Sequence, residues 1–224
     1  MNRDGRRYHH GDLPAALIAA GLELARSGGA EAIGLREVTR VVGVTPNAAY
    51  RHFADRRALV LAVAARAQQQ LALAMEDRMA DADTEPDSGR RARQRLRAVG
   101  LAYIDFAVGE PGWFQLAFFT HEHYAEASTP EATGHTGAPP YQLLLTALDD
   151  LVAAGILPAD RRPNAEWACW SAVHGLSEFA TRGPLHDQPP AAVHRLAEYV
   201  VDCTIEGVIA GQPSTGKTIG TQAP

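Results

Sequence analysis

The chain has only two cysteines, Cys169 and Cys203. They are far apart, form no C-x-x-C pair and lie in apolar helical surroundings, which excludes a disulfide framework and predicts two small buried thiols. Alternating runs of β-branched residues are nearly absent, so a sheet has no sequence to build it and the fold class expected is all-α. The first ten residues, MNRDGRRYHH, hold no apolar stretch of the kind a secretory signal needs, and no run approaches the length of a membrane span. A soluble, cytoplasmic protein without membrane contact is therefore expected. No Ser/His/Asp or Cys/His arrangement can be traced, so neither a catalytic site nor a cofactor is expected.

What is present is an ordinary globular composition, 46% hydrophobic and 21% charged, over 224 residues. The net charge of −5 would discourage a nucleic-acid partner if it were evenly spread. It is not. Residues 1–70 hold ten arginines against six acids, +4, and the remaining residues hold eleven basic side chains against twenty acids, −9. The basic charge is concentrated at one end.

Helical spacing recurs along the chain. Asp12 can cap a first helix that ends at Ser27-Gly28-Gly29; a second runs from Leu35 to Val42 and stops at Gly43. Thr45 followed by Pro46 reads as an N-cap with proline in the first turn, opening a short third helix to about His52. Two helices joined by a tight glycine-containing turn are the sequence form of a helix-turn-helix. Asp55 then caps a long helix to about Met75, and Asp81–Gly89 reads as a loop. Helices are expected over about 91–108, from Pro111 onward, and over 140–154, 164–182 and 190–210, with a mobile loop over 120–140 and a polar tail from Gly211.

The short helix poses the functional question. Val44, Ala49 and Phe53 can pack inward, leaving Thr45, Asn47, Ala48, Tyr50, Arg51 and His52 at or near the solvent side. Thr45, Tyr50 and His52 carry donors suited to phosphate oxygens, whereas Asn47 and Arg51 can reach base edges, Asn favouring adenine and Arg favouring guanine. Arg3, Arg6 and Arg7 form a basic arm, His9 and His10 with them, able to follow the backbone or enter the minor groove. Arg36, Arg56 and Arg57 lie at the starts of the second and fourth helices.

On these residues a resemblance can be named. The stretch LREVTRVVGVTPNAAYRHFADRRAL is similar to the DNA-binding signature of the TetR/AcrR family of transcription regulators, and RYHHGDL resembles the start of one subgroup. WSAVHG, Trp170–Gly175, resembles that subgroup's Trp-x-x-x-His-Gly motif. Arg56 stands where the family usually has lysine, Thr39 where alanine is usual, and Asn47-Ala48 where small residues or glycine are common. The resemblance implies an N-terminal three-helix DNA-binding domain joined by a long helix to a larger helical ligand-binding and dimerisation domain. The boundaries expected are 1–55 for the basic arm and head, 56–210 for the second domain and 211–224 for the tail. It also implies a ligand-released repressor, a homodimer through the last two helices, an unidentified small-molecule effector and a double-stranded DNA operator, palindromic if the dimer is two-fold. The wide apolar stripe Val193, Leu196, Val200, Val201, Thr204, Ile205 and Val208 agrees with a dimer but equally with a central core helix.

For the effector, Trp113, Phe114, Phe118 and Phe119 cluster on one short helix, and Trp167, Trp170, His174 and Glu178 recur on another. Aromatic walls with a few polar groups describe a pocket and an ordinary core alike. Glu178, one turn on, is an available partner for a buried His174; Tyr124 and Tyr141 are weaker lining candidates. Two further matches lack context. GQPSTGKT, Gly211–Thr218, fits a phosphate-loop pattern, but a helix precedes it and six residues follow. HEHY, His121–Tyr124, offers metal donors without a preorganised third ligand. A helical carrier or enzyme is the alternative class, and nothing in these residues separates an activator from a repressor.

Overall fold

Asp12 accepts a hydrogen bond from the Ala15 N–H at 3.1 Å and so caps α1 (Leu13–Gly28), the first helix of a computed structural model that describes residues 12–119 and 130–211. A 3-10 turn (Gly29–Ala32) leads into α2 (Leu35–Val42). Gly43 closes α2 in the left-handed region, φ 81° and ψ 31°, where a side chain would be strained. Its N–H and that of Val44 both return to the Thr39 carbonyl, which makes the turn tight. α3 (Pro46–Tyr50) follows at once. It is shorter than expected: Arg51 and His52 form a turn that carries the chain to Phe53.

Leu17, Val38, Ala49, Leu59 and Val63 are fully buried and join α1, α2 and α3 to the start of α4 (Arg56–Ala82). Burying a large aliphatic side chain such as Leu17 or Leu59 stabilises by about 1.5–3 kcal/mol. α4 runs past Met75, the expected end, because Met75, Met79 and Ala82 keep one buried stripe beneath the polar Glu76-Asp77-Arg78 surface. The loop is correspondingly shorter than Asp81–Gly89: Asp87 caps the Arg90 N–H at 2.8 Å and starts α5 (Ser88–Gly109) three residues before the expected Arg91.

α5 is the central helix of the body, its Leu96–Ala107 stretch almost wholly buried. Around it lie α4, α6 (Pro111–Phe119), α7 (Pro140–Ala153), α8 (Ala165–Thr181) and α9 (Pro190–Ala210). A 3-10 turn (Pro130–Ala132) occupies part of the segment expected to be loop. No strand occurs among the described residues, as the all-α reading expects. One sequence expectation fails: α4 does contain an 18-residue window of mean hydropathy 1.3, long and apolar enough to span a membrane. Its share buried inside the protein, 56%, identifies it as the core helix of the fold.

Candidate functional site

The outward surface of α2 and α3 is the first candidate site. Arg36, Arg40, Thr45, Asn47, Tyr50, Arg51 and His52 are exposed together, and Ala48 is half-buried beside them. Thr45 takes the N-cap position with extended backbone, but its hydroxyl makes no capping hydrogen bond and is left facing outward. Val41 and Tyr50 are 53% and 55% exposed, two of the largest apolar surfaces left open. Val41 went unremarked in the sequence; its signal is an apolar residue off the stripe set by Leu35, Val38 and Val42.

This face gathers three exposed arginines. Arg36, Arg40 and Arg51 form no ion pair among the described residues. In the body, Arg78 pairs with Asp105, Arg93 with Glu206, Arg95 with Asp83 and Asp150, Arg97 with Glu198 and Asp202, and Arg162 with Asp149 and Glu166, whereas Arg66, Arg91 and Arg161 bond to Gln69 and to the Glu85 and Ile209 carbonyls. Arg56, expected at a phosphate, also has partners within the chain. Its Nε donates to the Ile33 carbonyl at 2.8 Å and its Nη2 to Ala30 at 2.7 Å, so the guanidinium ties α4 to the turn before α2. Arg6 and Arg7 of the arm, with Arg3, His9 and His10, lie outside the described residues.

Between head and body stands a tight junction. Gly112 opens α6 so close to α1 that an added Cβ would lie 2.1 Å from the Ala25 carbonyl oxygen. The Trp113 indole N–H donates to the Leu22 carbonyl at 2.7 Å, and the Arg26 guanidinium lies 4.5 Å from the Trp113 ring centroid. Arg26 also forms a two-pronged pair with Glu110, at 2.8 and 2.9 Å, which raises its pKa further. Trp113, expected in a pocket wall, thus sits at the junction of α6 with α1.

The other face of α6 reaches the second candidate site. Phe114 packs with Tyr103 and His174, and Phe118 with Tyr103, His174 and Trp170, at ring separations of 5.3–6.0 Å. The His174 partner is the Tyr103 hydroxyl, 2.7 Å from Nδ1, rather than Glu178, which pairs with Arg182. Burial lowers the His174 pKa below the ordinary histidine value, against the opposing pull of Glu178. Beside this cluster lies an apolar cavity of about 30 Å³, bounded by Met75, Leu96, Tyr103, Trp170, Val173 and Ile205 among others. That volume holds about one or two waters, well short of a pocket of several hundred Å³. Trp170 lines it, whereas Trp113, Phe114, Phe118, Trp167, His174 and Glu178 do not. Cys169 lines it as a buried thiol whose pKa is pushed up to about 12 by burial, with nearby Glu166 adding to the shift. The other cysteine contradicts expectation: Cys203 is exposed on α9.

Next to the cavity, Tyr141 packs on Trp170 at 5.4 Å and on Trp167 at 6.3 Å. Among the described residues, the Tyr141 hydroxyl and the Trp167 Nε1 are buried without a hydrogen-bond partner, as are the Ser177 hydroxyl and one Glu178 oxygen. Each such group costs about 1–3 kcal/mol. No group of three metal-ligating side chains occurs among the described residues. His121–Tyr124 and all of the phosphate-loop match except Gly211 lie outside them, and the Phe119 side chain is not described.

Residues 17–63 match the family model of bacterial regulatory proteins of the tetR family, and residues 96–204 match the tetracyclin repressor-like C-terminal domain. The chain is 28% identical over 101 residues to an uncharacterized HTH-type transcriptional regulator, YobS, of Bacillus subtilis (strain 168). That alignment spans 45% of this chain and about half, 49%, of the relative. A Rhodococcus sp. RHA1 protein of unknown function superposes with a TM-score of 0.71 at 25% identity, covering 92% of this chain and 100% of its own. The fold is shared with FadR from Bacillus subtilis, solved in complex with stearoyl-CoA, at a TM-score of 0.57, 16% identity and coverage of 88% and 98%. With one model seated on the helix-turn-helix and its long helix, and the other on the body around α5, the chain belongs to the tetR family of bacterial regulatory proteins.

Proposed function

We propose that the protein is a DNA-binding transcriptional regulator that α3 docks in the major groove and that a small-molecule effector releases from its operator. The observation that carries this is the α2–α3 surface, where Arg36, Arg40 and Arg51 stand outside any ion pair of the described chain beside the exposed Val41 and Tyr50. A face built to be solvated has no use for open apolar area; a groove offers phosphates to the arginines and thymine methyls to the aliphatic atoms. Arg51 and Asn47 read base edges, while Thr45, Tyr50, His52 and Arg36 hold the backbone. The arm with Arg6 and Arg7 adds minor-groove or phosphate contacts, and the protein works in the cytoplasm as a repressor.

α8 and α9 form the homodimer surface. Phe179 and Tyr199 are 53% and 67% exposed on them, with Ala168, Ser171, Cys203 and Gly207 leaving room for close helix approach. Two-fold symmetry then presents two α3 helices to a palindromic operator. Residues 1–55 read DNA, residues 56–210 bind effector and partner, and α6 couples the two through the Gly112–Trp113 junction.

Binding of the purified protein to its own upstream DNA, followed by anisotropy, tests this. Affinity falls by about 10³ or more between 50 and 200 mM salt if six or more phosphates are contacted. Arg51→Ala relaxes base preference, and Tyr50→Phe weakens every sequence alike. Binding that is independent of salt, or unchanged by Arg51→Ala, overturns the reading.

A further inference from the structure

We propose that the effector is an uncharged molecule with an apolar body and one hydrogen-bond acceptor, and that the Tyr141 hydroxyl and Trp167 indole N–H are the donors that recognise it. This rests on the effector-responsive reading above and names the chemistry of that same site.

The cavity supplies the apolar half. Its wall carries no charged side chain, and its two hydroxyls are engaged: the Thr204 hydroxyl donates to the Val200 carbonyl at 2.7 Å, and the Tyr103 hydroxyl pairs with His174. Recognition of a polar atom therefore has to come from the margin of the cavity. There, behind Trp170, lie two buried groups with no hydrogen-bond partner among the described residues, the Tyr141 hydroxyl and the Trp167 Nε1. Native proteins rarely leave such groups unsatisfied, and a ligand acceptor is the partner that both lack. Trp170 is the partition, since one side of it lines the cavity and its ring packs 5.4 Å from Tyr141. Displacement of that ring joins the cavity to the two donors and supplies the volume that the closed cavity lacks.

The surrounding charge excludes the other head groups. Glu166 is 5% exposed and reaches Arg162 at 2.8 Å, and Asp149 holds the same guanidinium at 2.7 Å. Two carboxylates thus share one cation on this side, so an anion entering here would meet net negative charge. A cation gains no direct partner at the two open positions, because the Trp167 N–H and the Tyr141 O–H present hydrogens to a bound group. A carbonyl or ether oxygen fits both conditions.

Octyl methyl ketone, nonanoate and octyltrimethylammonium share one alkyl chain and differ in head group. Each is titrated calorimetrically into the full-length protein without DNA, using wild type, Tyr141→Phe and Trp167→Phe. The ketone is expected to bind and the two ions to bind at least tenfold more weakly. Each variant keeps its ring, loses one donor and weakens ketone binding about three- to tenfold. Tyr141→Phe also raises the melting temperature of the unliganded protein, which a merely structural hydroxyl would not do. Failure of the ketone to bind wild type, equal or tighter binding of either ion, or unchanged ketone affinity in both variants overturns the proposal. An ion that binds and releases operator DNA would sink this inference while leaving the regulator standing. Absence of any DNA binding would sink the regulator, with the ketone titration still deciding the site.

Discussion

His174 illustrates how far a single residue could be read in advance. Its burial and its need for a partner follow from a polar ring set among Trp170, Leu176 and other apolar neighbours, yet the partner comes from Tyr103, on a different helix. Local spacing suggests Glu178 because it sees only one helix; the carboxylate has Arg182 one turn further on. Trp113 fails in the same way, since no periodicity reveals that its indole will meet the Leu22 carbonyl of α1. The burial of His174 has a consequence in pH. The folded protein holds its pKa below the ordinary 6.5, so the neutral form is favoured and its contribution is complete above about 6.5. As pH falls from there toward the lowered value, the unfolded chain takes up the proton first and stability declines. Melting temperatures measured from about pH 8 down to 5.5 should therefore fall more steeply for wild type than for His174→Gln. Parallel curves would show that His174 contributes no such linkage.

At the scale of the element, boundaries were legible wherever a local chemical device sets them. α2 stops at Val42 because Gly43 alone adopts the left-handed cap comfortably, and α9 has the bounds expected from Pro190 and the polar stretch after Ala210. The facing ends of α4 and α5 were not legible, because charged residues on an outer face resemble a loop while the inner apolar stripe continues beneath them. The contact between elements was not legible at all, and Gly112 is the clearest case. A methyl group there would meet the Ala25 and Arg26 carbonyl oxygens at 2.1 and 2.5 Å, and neither backbone can yield without moving α1. Gly112→Ala is expected to destabilise the protein by about 1–3 kcal/mol in chemical denaturation. Because the strain falls where head meets body, operator affinity should fall with it. A variant of wild-type stability would mean that α6 does not bear on α1 as described.

For the whole molecule, the division of labour follows from where charge and apolar surface are left uncompensated. Many body arginines pair with carboxylates while the cluster Arg36, Arg40 and Arg51 on the head does not, and among the described residues the large aromatic side chains left exposed outside the head are Phe179 and Tyr199 on the last two helices. Tyr199→Asp should shift the protein from dimer to monomer in light scattering after size exclusion, and should weaken operator binding as one of two half-site contacts is lost. A Tyr199→Asp protein that stays dimeric would place the interface elsewhere.

The claim under all of this is that α3 enters the major groove, one copy from each of two symmetric protomers. Selection of bound duplexes from a random pool tests it most directly. The expected result is an inverted repeat whose half-sites lie about one helical turn, roughly 34 Å, or a whole multiple of it apart, with the preference at one base relaxed by Arg51→Ala. Recovery of no enriched sequence, or of a motif that Arg51→Ala and Asn47→Ala leave untouched, would contradict it.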